Sequence, residues 1–333
     1  MDFAVYLGSG RTVVYKKNEG IVLSEATCIA YERVGKKKKE ELRVIAVGDT
    51  AKRMQDRTDE QIIVASPVVG CRIVDVELCK MYFQEIIKKI GGVWNKTALF
   101  CIQCSLTSVE LDGYKSVAYS AGFTGVEFVP SVVASAIGNG FDIKGATACL
   151  SVNIGEGGSD IAAIAFGGII AGGSITDGGA SATEAVRAFI ESKHKIGISE
   201  RIAKIAKDEC QTLLLNNEVS YKLKGIDIET GATHEVWFNG VDCYKVILPV
   251  YGRIVKAVLQ VIAECSPEVA GDIKAGAVFV GGEGSSPSGL REFLTTNLDI
   301  NVVLDTRSAN AVIMGAGMLL NDKELLRKVI RAN

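Results

Sequence analysis

The sequence predicts an α/β protein that is built from two similar domains. The chain has 333 residues, a length typical of about two domains. Strand-like apolar runs alternate with amphipathic helices, which indicates parallel sheets built from βαβ units. Two glycine-rich segments, beginning at Tyr6 and Asn153, share one pattern. The two halves of the chain are therefore expected to have the same architecture.

The composition disfavours several classes of function. Hydrophobic residues make up 48% and charged residues 23% of the chain, as in ordinary globular proteins. The 37 Lys and Arg residues nearly balance the 39 Asp and Glu residues, so we expect no nucleic-acid partner bound through bulk charge. The two histidines, His194 and His234, disfavour His-based zinc sites and Ser-His-Asp catalysis. Nine cysteines, mostly alone within apolar runs, are typical of buried thiols in a reducing cytoplasm.

In the first half, short strands come before the first long helix. The apolar periodicity predicts one helix over 75–90, ended by Gly91 and Gly92, and another over 107–121, ended by Gly122. Strands are predicted at 3–7, 12–16, 27–31, 44–47 and 99–102, and the charged run at 36–39 is expected to form a solvated hairpin tip.

The second half repeats this alternation. Strands are predicted at 149–154, 161–166, 169–174 and 277–280, and a small sheet at 221–228 and 235–238. Helices are predicted at 183–193, 199–215, 243–265, 309–320 and 323–330. Pro249 lies inside the third of these helices, where proline favours a kink. Ser266 and Pro267 supply an N-cap and a first-turn proline for one more helix.

The repeated segment predicts a pair of phosphate-binding turns. Residues 6–14 read YLGSGRTVV and residues 153–161 read NIGEGGSDI. Glycine permits positive φ and exposes backbone N–H groups that can bind phosphate oxygens. One glycine hairpin is usually only a turn, but two similar turns suggest a polyphosphate clamped between two domains. A third cluster, GGEGSS at 281–286, follows a predicted strand, as in nucleotide sites at the carboxyl edge of a sheet.

Segments along nearly the whole chain resemble the MreB family of bacterial actins, in the actin, sugar-kinase and heat-shock-chaperone ATPase superfamily. Residues 20–25 (GIVLSE) resemble the family's GIVLNEP, residues 46–54 (AVGDTAKRM) its AVGxxAKxM, and residues 134–138 (ASAIG) its AAAIG. The resemblance implies an actin-like, two-domain duplicated α/β fold with a nucleotide cleft between the domains. It implies one domain at 1–143 plus 310–333 and a second at 144–309, which contains a small subdomain at about 181–242.

The resemblance also implies a set of nucleotide-binding residues in the glycine segments and one helix. They are Ser9, Gly10, Arg11, Gly155, Glu156, Gly157, Gly158, Lys204, Lys207, Gly281, Gly282, Glu283 and Gly284. The family's turns read DLGTANT and DIGGGTT, so Tyr6 and Asn153 replace two aspartates that hold Mg²⁺. Because Mg²⁺ prefers charged oxygen ligands, we expect no metal site of the usual kind and doubtful Mg²⁺ binding. We also expect weak ATP or ADP binding and weak or absent hydrolysis.

Glu156 changes the second turn in a further way. It replaces a glycine whose backbone faces phosphate in the family. A carboxylate there adds bulk and charge repulsion against a phosphate. Arg11 is expected to offset part of that charge or to pair with Glu156 itself.

Glu110 has two interpretations. It matches the glutamate that positions the attacking water in the family, which makes it the one candidate catalytic residue. It also ends the segment TSVE at 107–110, which has the pattern of a helix capping box. The structural role is favoured, and the catalytic role stays open.

Val93 and Trp94 match a loop that carries exposed apolar residues to the membrane in the family. Lys96 lies two residues from Trp94, and an aromatic ring beside a cation suits a membrane interface. The alternative is that Trp94 packs against its own domain.

The resemblance implies a cytoplasmic filament protein that self-associates head to tail. It would scaffold cell-shape or cell-wall synthesis proteins and contact the inner face of the membrane peripherally. One alternative is a pseudo-ATPase that forms no filaments and regulates a companion MreB. Another is a phosphotransferase of the sugar-kinase branch, which Tyr6 and Asn153 disfavour because they remove its metal ligands.

Overall fold

In the computed structural model, which describes residues 1–35, 41–58, 61–215, 218–304 and 308–332, the first half of the chain alternates strands and helices. The strands are β1 (Phe3–Leu7), β2 (Arg11–Lys16), β3 (Gly20–Ala26), β4 (Ile29–Val34), β5 (Glu41–Val47), β6 (Ile62–Ala65), β7 (Val68–Val69), β8 (Arg72–Ile73), β9 (Lys96–Ile102) and β10 (Phe123–Pro130). The helices are α1 (Asp49–Met54), α2 (Val76–Lys88), α3 (Ser108–Ser120) and α4 (Ser131–Gly138). The predicted hairpin tip at 36–39 lies outside the described residues.

The second half continues the alternation as predicted. Its strands are β11 (Cys149–Ile154), β12 (Ser159–Ala165), β13 (Gly168–Ile175), β14 (Ile196–Gly197), β15 (Ser220–Asp227), β16 (Thr233–Asn239), β17 (Ala277–Gly281) and β18 (Asn301–Val303). Its helices are α5 (Gly179–His194), α6 (Glu200–Cys210), α7 (Gly240–Ala263), α8 (Pro267–Ala275), α9 (Leu290–Leu298), α10 (Ala311–Asn321) and α11 (Lys323–Ala332). Short 3₁₀ turns lie at Glu283–Ser285 and Ser308–Asn310.

The duplication predicted from the glycine segments is confirmed by the sheets. One five-stranded sheet has the order β10-β9-β1-β2-β3, and the other has the order β13-β12-β11-β17-β18. In both, the first strand of the half forms an antiparallel hairpin with the second and pairs in parallel with a later strand. Smaller sheets, β5-β4-β6 and β14-β15-β16, accompany the two large ones. The exact domain boundaries stay a prediction.

Each large sheet has its own hydrophobic core, and a third core joins them. The first core cluster includes Phe83, Phe100 and Phe123 around β1 and α2. The second includes Ile190, Phe238 and Tyr251 around β11 and α7. A joint cluster draws residues from both sheets and from α4 and α10. The two halves therefore share buried apolar surface.

Helices α4 and α10 meet backbone to backbone at two glycines. A Cβ atom at Gly138 would lie 1.9 Å from the Ala311 carbonyl oxygen, and one at Gly315 would lie 1.8 Å from the Ala134 carbonyl oxygen. Such distances leave no room for a side chain, so glycine is required at both positions. The helix pair lies behind the edge at which the two glycine turns meet.

Helix α7 is long and apolar enough to cross a membrane by length and composition. In the structure, Ile247, Tyr251 and Ile254 on this helix are buried in the second core cluster. Pro249 lies inside the helix, which continues to Ala263. Packing inside the protein accounts for the buried apolar face of this helix.

Candidate functional site

The three glycine segments lie together where the two halves face each other. The first turn, Gly8–Gly10, joins β1 to β2 and is closed by the Gly8 N–H donating to the Arg11 carbonyl at 3.0 Å. The second turn, 155–158, joins β11 to β12 and is closed by the Gly155 N–H donating to the Gly158 carbonyl at 2.8 Å. The third segment follows β17, where Gly282 has a φ of +94°. The predicted juxtaposition is therefore present.

The two turns are in direct contact. A Cβ atom at Gly157 would lie 2.3 Å from Ser9 Oγ. The Ser9 hydroxyl is itself held, because it accepts a hydrogen bond from the Cys71 N–H at 2.8 Å. A Cβ atom at Gly10 would lie 2.7 Å from Glu283 Oε2 and 2.9 Å from Glu156 Cβ. Side chains and backbone of the chain itself fill the space between the turns.

Two glutamates bring negative charge to this contact, and basic residues surround them. Both carboxylate oxygens of Glu156 accept hydrogen bonds from Lys204 Nζ at 3.0 Å. Arg11 Nε lies 4.0 Å from Glu283 Oε1, and Arg11 also lies 3.7 Å from Asp49. Lys207 is buried and donates to the Gly179 carbonyl at 3.4 Å. Arg11, Lys204 and Lys207, the candidate phosphate-binding cations, therefore already contact other groups of the protein.

The pKa values of the two glutamates shift in opposite directions. Burial raises the pKa of Glu156, but Lys204 and Lys207 outweigh it and hold the value below its ordinary level. Burial and the neighbouring Glu156 raise the pKa of Glu283, and Arg11 opposes them only in part. Glu156 is therefore the more firmly ionised partner of the pair.

Tyr6 and Asn153 form the floor beneath the turns. Burial raises the pKa of Tyr6 well above its ordinary value, although a hydrogen bond from Asn153 opposes the shift. Asn153 is 3% exposed, and its Oδ1 atom has no hydrogen-bond partner among the described residues. A neutral phenol and an amide offer Mg²⁺ none of the charged oxygen ligands that it prefers. These residues do not fit the metal that the resemblance implies.

A cleft with a volume of about 1230 Å³ opens beside the turns. Its acidic lining residues are Asp49, Asp56, Glu156, Glu184, Glu200, Asp208 and Glu283, and its basic ones are Arg11, Lys52, Arg187, Lys204 and Lys207. The acidic residues outnumber the basic ones in this set. A cleft lined in this way has no excess positive charge with which to neutralise a polyphosphate.

The predicted binding residues fall into two groups. Those that line the cleft or the small cavity beneath it are Ser9, Gly10, Arg11, Gly155, Glu156, Gly157, Lys204, Lys207, Gly282 and Glu283. Gly158, Gly281 and Gly284 lie behind this surface. Gly281 pairs with Asn153 between strands, and the Gly284 carbonyl accepts a hydrogen bond from the Tyr251 hydroxyl at 2.6 Å.

Glu110 lies at the start of α3 and does not line the cleft. Its Oε2 accepts hydrogen bonds from the Thr107 N–H at 2.7 Å and from the Thr107 hydroxyl at 2.8 Å. Arg72 pairs with its other carboxylate oxygen. The capping box is complete, and these hydrogen bonds, together with Arg72, hold the pKa of Glu110 below its ordinary value. The carboxylate is engaged by the helix end and Arg72.

The prediction of an exposed Val93–Trp94 tip is wrong for Val93. Val93 is 2% exposed because it packs in the first core cluster. Trp94 is 87% exposed, which excludes the alternative that its ring packs on its own domain. Neighbouring residues in an irregular segment commonly point in opposite directions, and the sequence did not show which one faces the core.

Sequence reasoning missed Asp160, a buried carboxylate behind the second turn. It lies opposite Asn153 in the β11–β12 pair. Ser131 donates to it at 2.6 Å and Ser174 at 2.5 Å. Burial raises the pKa of Asp160 to about 6. Its position in the segment NIGEGGSD was the one available signal.

The chain is similar to known proteins along nearly its whole length. The family profile described as MreB/Mbl protein matches residues 1–328. The chain is 28% identical over 333 residues to the cell shape-determining protein Mbl of Bacillus subtilis, covering 98% of both chains. It is 28% identical over 326 residues to the cell shape-determining protein MreB of Escherichia coli, covering 96% of this chain and 93% of that protein.

Solved structures show the same fold. The structure of MreB5 of Spiroplasma citri bound to AMPPNP matches with a TM-score of 0.90 and 25% identity, covering 98% of this chain and 97% of that one. The MamK double helical filament matches with a TM-score of 0.77 and 16% identity, covering 96% of this chain and 99% of that one. The second likeness concerns the fold alone.

Proposed function

This chain belongs to the MreB/Mbl family, and from that premise we propose that it is an actin homologue that self-assembles into filaments. Its curated relatives are cell shape-determining proteins, which supports a role as a cytoplasmic scaffold for cell-shape or cell-wall synthesis proteins. The assembly proposed is head to tail, as the resemblance to bacterial actins implies, and the MamK chain, which has the same fold, forms a double helical filament. Because such a contact joins two different surfaces of the subunit, it leaves the assembly open-ended.

Filament formation is tested by sedimentation and electron microscopy of the purified protein. The proposal expects a pellet above a critical concentration and filaments in the same sample. A chain that stays monomeric at every concentration, but changes the assembly of a companion MreB, would instead support the regulatory alternative.

We propose further that the ATP site is degenerate. Nucleotide binds weakly, Mg²⁺ adds little to the affinity, and phosphate release stays at background. The contact between Gly10 and the Glu156 and Glu283 side chains carries this proposal, since it fills the space between the turns. The mismatch of Tyr6 and Asn153 with a Mg²⁺ site supports it. The MreB5 structures contain AMPPNP or ADP. The affinity of this chain for nucleotide is therefore the first property to measure.

Calorimetric titration of ATP with and without Mg²⁺ tests the degenerate site. The proposal expects affinities that differ by less than tenfold, which corresponds to ~1.4 kcal/mol. A larger effect of Mg²⁺ would show a working metal site. Phosphate release well above background, lost in Glu110→Ala, would show an active ATPase.

We also propose peripheral membrane contact through Trp94. An exposed tryptophan is worth roughly 2–3 kcal/mol when its ring leaves water. Lys96 close by adds attraction for anionic lipid. Sedimentation with anionic vesicles tests this contact.

A further inference from the structure

The contact between the glycine turns does more than close a ligand site. Where two glycine turns cradle phosphates, the backbone N–H groups and nearby cations need an anion for charge balance. Here the anion comes from the chain. Glu156 belongs to the second turn and Glu283 to the segment after β17, and both touch the first turn at Gly10.

The charges around these glutamates link separate elements. Arg11, at the start of β2 in the first sheet, faces Glu283, which follows β17 in the second sheet. Arg11 is held in place because its Nη2 donates to the Ser24 carbonyl at 2.6 Å and its Nε donates to the Ser24 hydroxyl at 3.1 Å. Lys204 on α6 binds both oxygens of Glu156. One ion pair therefore crosses between the halves, and the other ties α6 to the second turn.

A bound polyphosphate would have to break this arrangement. It would compete with Glu156 for Lys204 and with Glu283 for Arg11. It would also add negative charge beside two carboxylates that already repel each other. The close approach of Gly10 to Glu156 and of Gly157 to Ser9 leaves little room for phosphates between the turns.

We infer that Glu156 and Glu283 replace the nucleotide phosphates, so that without a ligand the Arg11–Glu283 pair links the two halves and the Lys204–Glu156 pair holds the second turn in place. This inference rests on the family membership and the degenerate site proposed above. It goes further by naming the groups that take the place of the ligand. It also implies that the cations of the site become available to a polyphosphate once the two carboxylates are removed.

The test is a thermal-shift titration of the full chain with inorganic pyrophosphate. Wild type is expected to show no rise in melting temperature at millimolar pyrophosphate. Glu156→Ala/Glu283→Ala is expected to melt lower without ligand, and to bind pyrophosphate at least tenfold more tightly than wild type. Asp56→Asn/Glu200→Gln is the matched control, because it removes two carboxylate charges from the same cleft but leaves the contact between the turns intact. The control is expected to gain no binding.

Equal gains in both double variants would overturn the inference, since they would reflect net charge alone. Tight pyrophosphate binding by wild type would overturn it as well. A rise in wild-type melting temperature with Mg²⁺ alone would show that the two acids hold a cation instead.

Arg11→Ala provides a second measurement if the double variant fails to fold. Hydrogen exchange of the Thr27 and Gly155 N–H groups, which donate to the carbonyls of Gly10 and Gly158 in the two turns, should become faster in Arg11→Ala because the cross-link between the halves is lost. Unchanged rates would contradict the inference. Sedimentation of wild type separates this inference from the proposal of filament assembly. A wild type that forms filaments but binds pyrophosphate refutes this inference alone, and one that neither sediments nor binds pyrophosphate refutes filament assembly alone.

Discussion

At the scale of single residues, Gly10 lies between the two glutamate side chains. Replacing it with alanine would place a methyl group 2.9 Å from Glu156 Cβ and 2.7 Å from Glu283 Oε2. Glu156 is held by Lys204 at 3.0 Å, so moving its side chain would disturb an ion pair. A substitution at Gly10 therefore tests the contact between the turns.

Gly10→Ala is expected to lower the free energy of unfolding by roughly 1–3 kcal/mol, because overpacking forces neighbours apart. Urea unfolding followed by circular dichroism measures the loss. Gly173→Ala is the control, since a Cβ there has no neighbour within 4 Å, and it should change stability by no more than about 0.5 kcal/mol. In the Glu156→Ala/Glu283→Ala background the cost of Gly10→Ala should shrink, and an unchanged cost would contradict the described contact.

Asp160 makes stability depend on pH. Burial raises its pKa from 3.8 to about 6, so the folded state binds the proton more tightly than the unfolded state. This contribution is fully present below about pH 4 and is lost as the pH rises toward 6, by roughly 3 kcal/mol. Asp160→Asn should remove it. Urea unfolding of both proteins from pH 4 to pH 7 tests this, and parallel curves would refute it.

At the scale of elements, Glu110 belongs to the N-terminus of α3. Glu110→Ala should lower the free energy of unfolding by about 1 kcal/mol through loss of the capping box. Glu110→Gln keeps a side chain that can complete the box, so it should retain most of the stability. Phosphate release should be the same in wild type and both variants. An activity lost in Glu110→Ala and Glu110→Gln alike would assign Glu110 to catalysis.

In the segment between α2 and β9, an exposed residue directly follows a buried one. Trp94→Ser should keep the melting temperature and lose binding to anionic vesicles, because Trp94 is 87% exposed. Val93→Ser should instead lose roughly 2 kcal/mol or more of stability, since it places a hydroxyl in the core. Trp237→Ser is the control for an exposed tryptophan elsewhere on the surface. If vesicle binding is kept in Trp94→Ser but lost in Trp237→Ser, the membrane contact lies on the β15–β16 hairpin instead.

The sequence predicted most elements but not all their limits. Helices α2 and α3 agree with their predicted ranges to within a few residues, because their apolar periodicity and stop signals coincide. Helix α6 ends at Cys210 although its apolar pattern continues to Leu215. The reason is tertiary, since Thr212 pairs with Ser288 as an isolated bridge. Strands β3 and β10, the two edges of the first sheet, and helix α4 were not predicted.

At the scale of the whole molecule, the internal repeat predicted the duplicated sheets correctly. Contacts between the halves could not be predicted in the same way. The pairing of Arg11 with Glu283 joins residues that are distant in the chain, and no local pattern relates them. One of the two expectations for Arg11 was a pairing with Glu156, whereas the structure pairs Glu156 with Lys204.

Assembly should not depend on nucleotide. If the two glutamates replace phosphate charge, the halves are held together whether or not ATP is present. The critical concentration for sedimentation should therefore agree within about twofold in ATP, in ADP and after removal of nucleotide, well below the tenfold change that corresponds to 1.4 kcal/mol. A tenfold lower critical concentration in ATP would show that nucleotide still drives assembly.

The joint cluster and the glycine contacts between α4 and α10 bear on how the chain unfolds. Cys149 and Ile164 from one sheet, and Ala4 and Leu99 from the other, are buried in the same cluster. If either half loses its structure, the other exposes part of its own apolar surface and loses the backbone packing at Gly138 and Gly315. The cooperative unit is then the entire chain, despite its two sheets. A free energy of unfolding that is measured by a probe in one half therefore describes the unfolding of both halves.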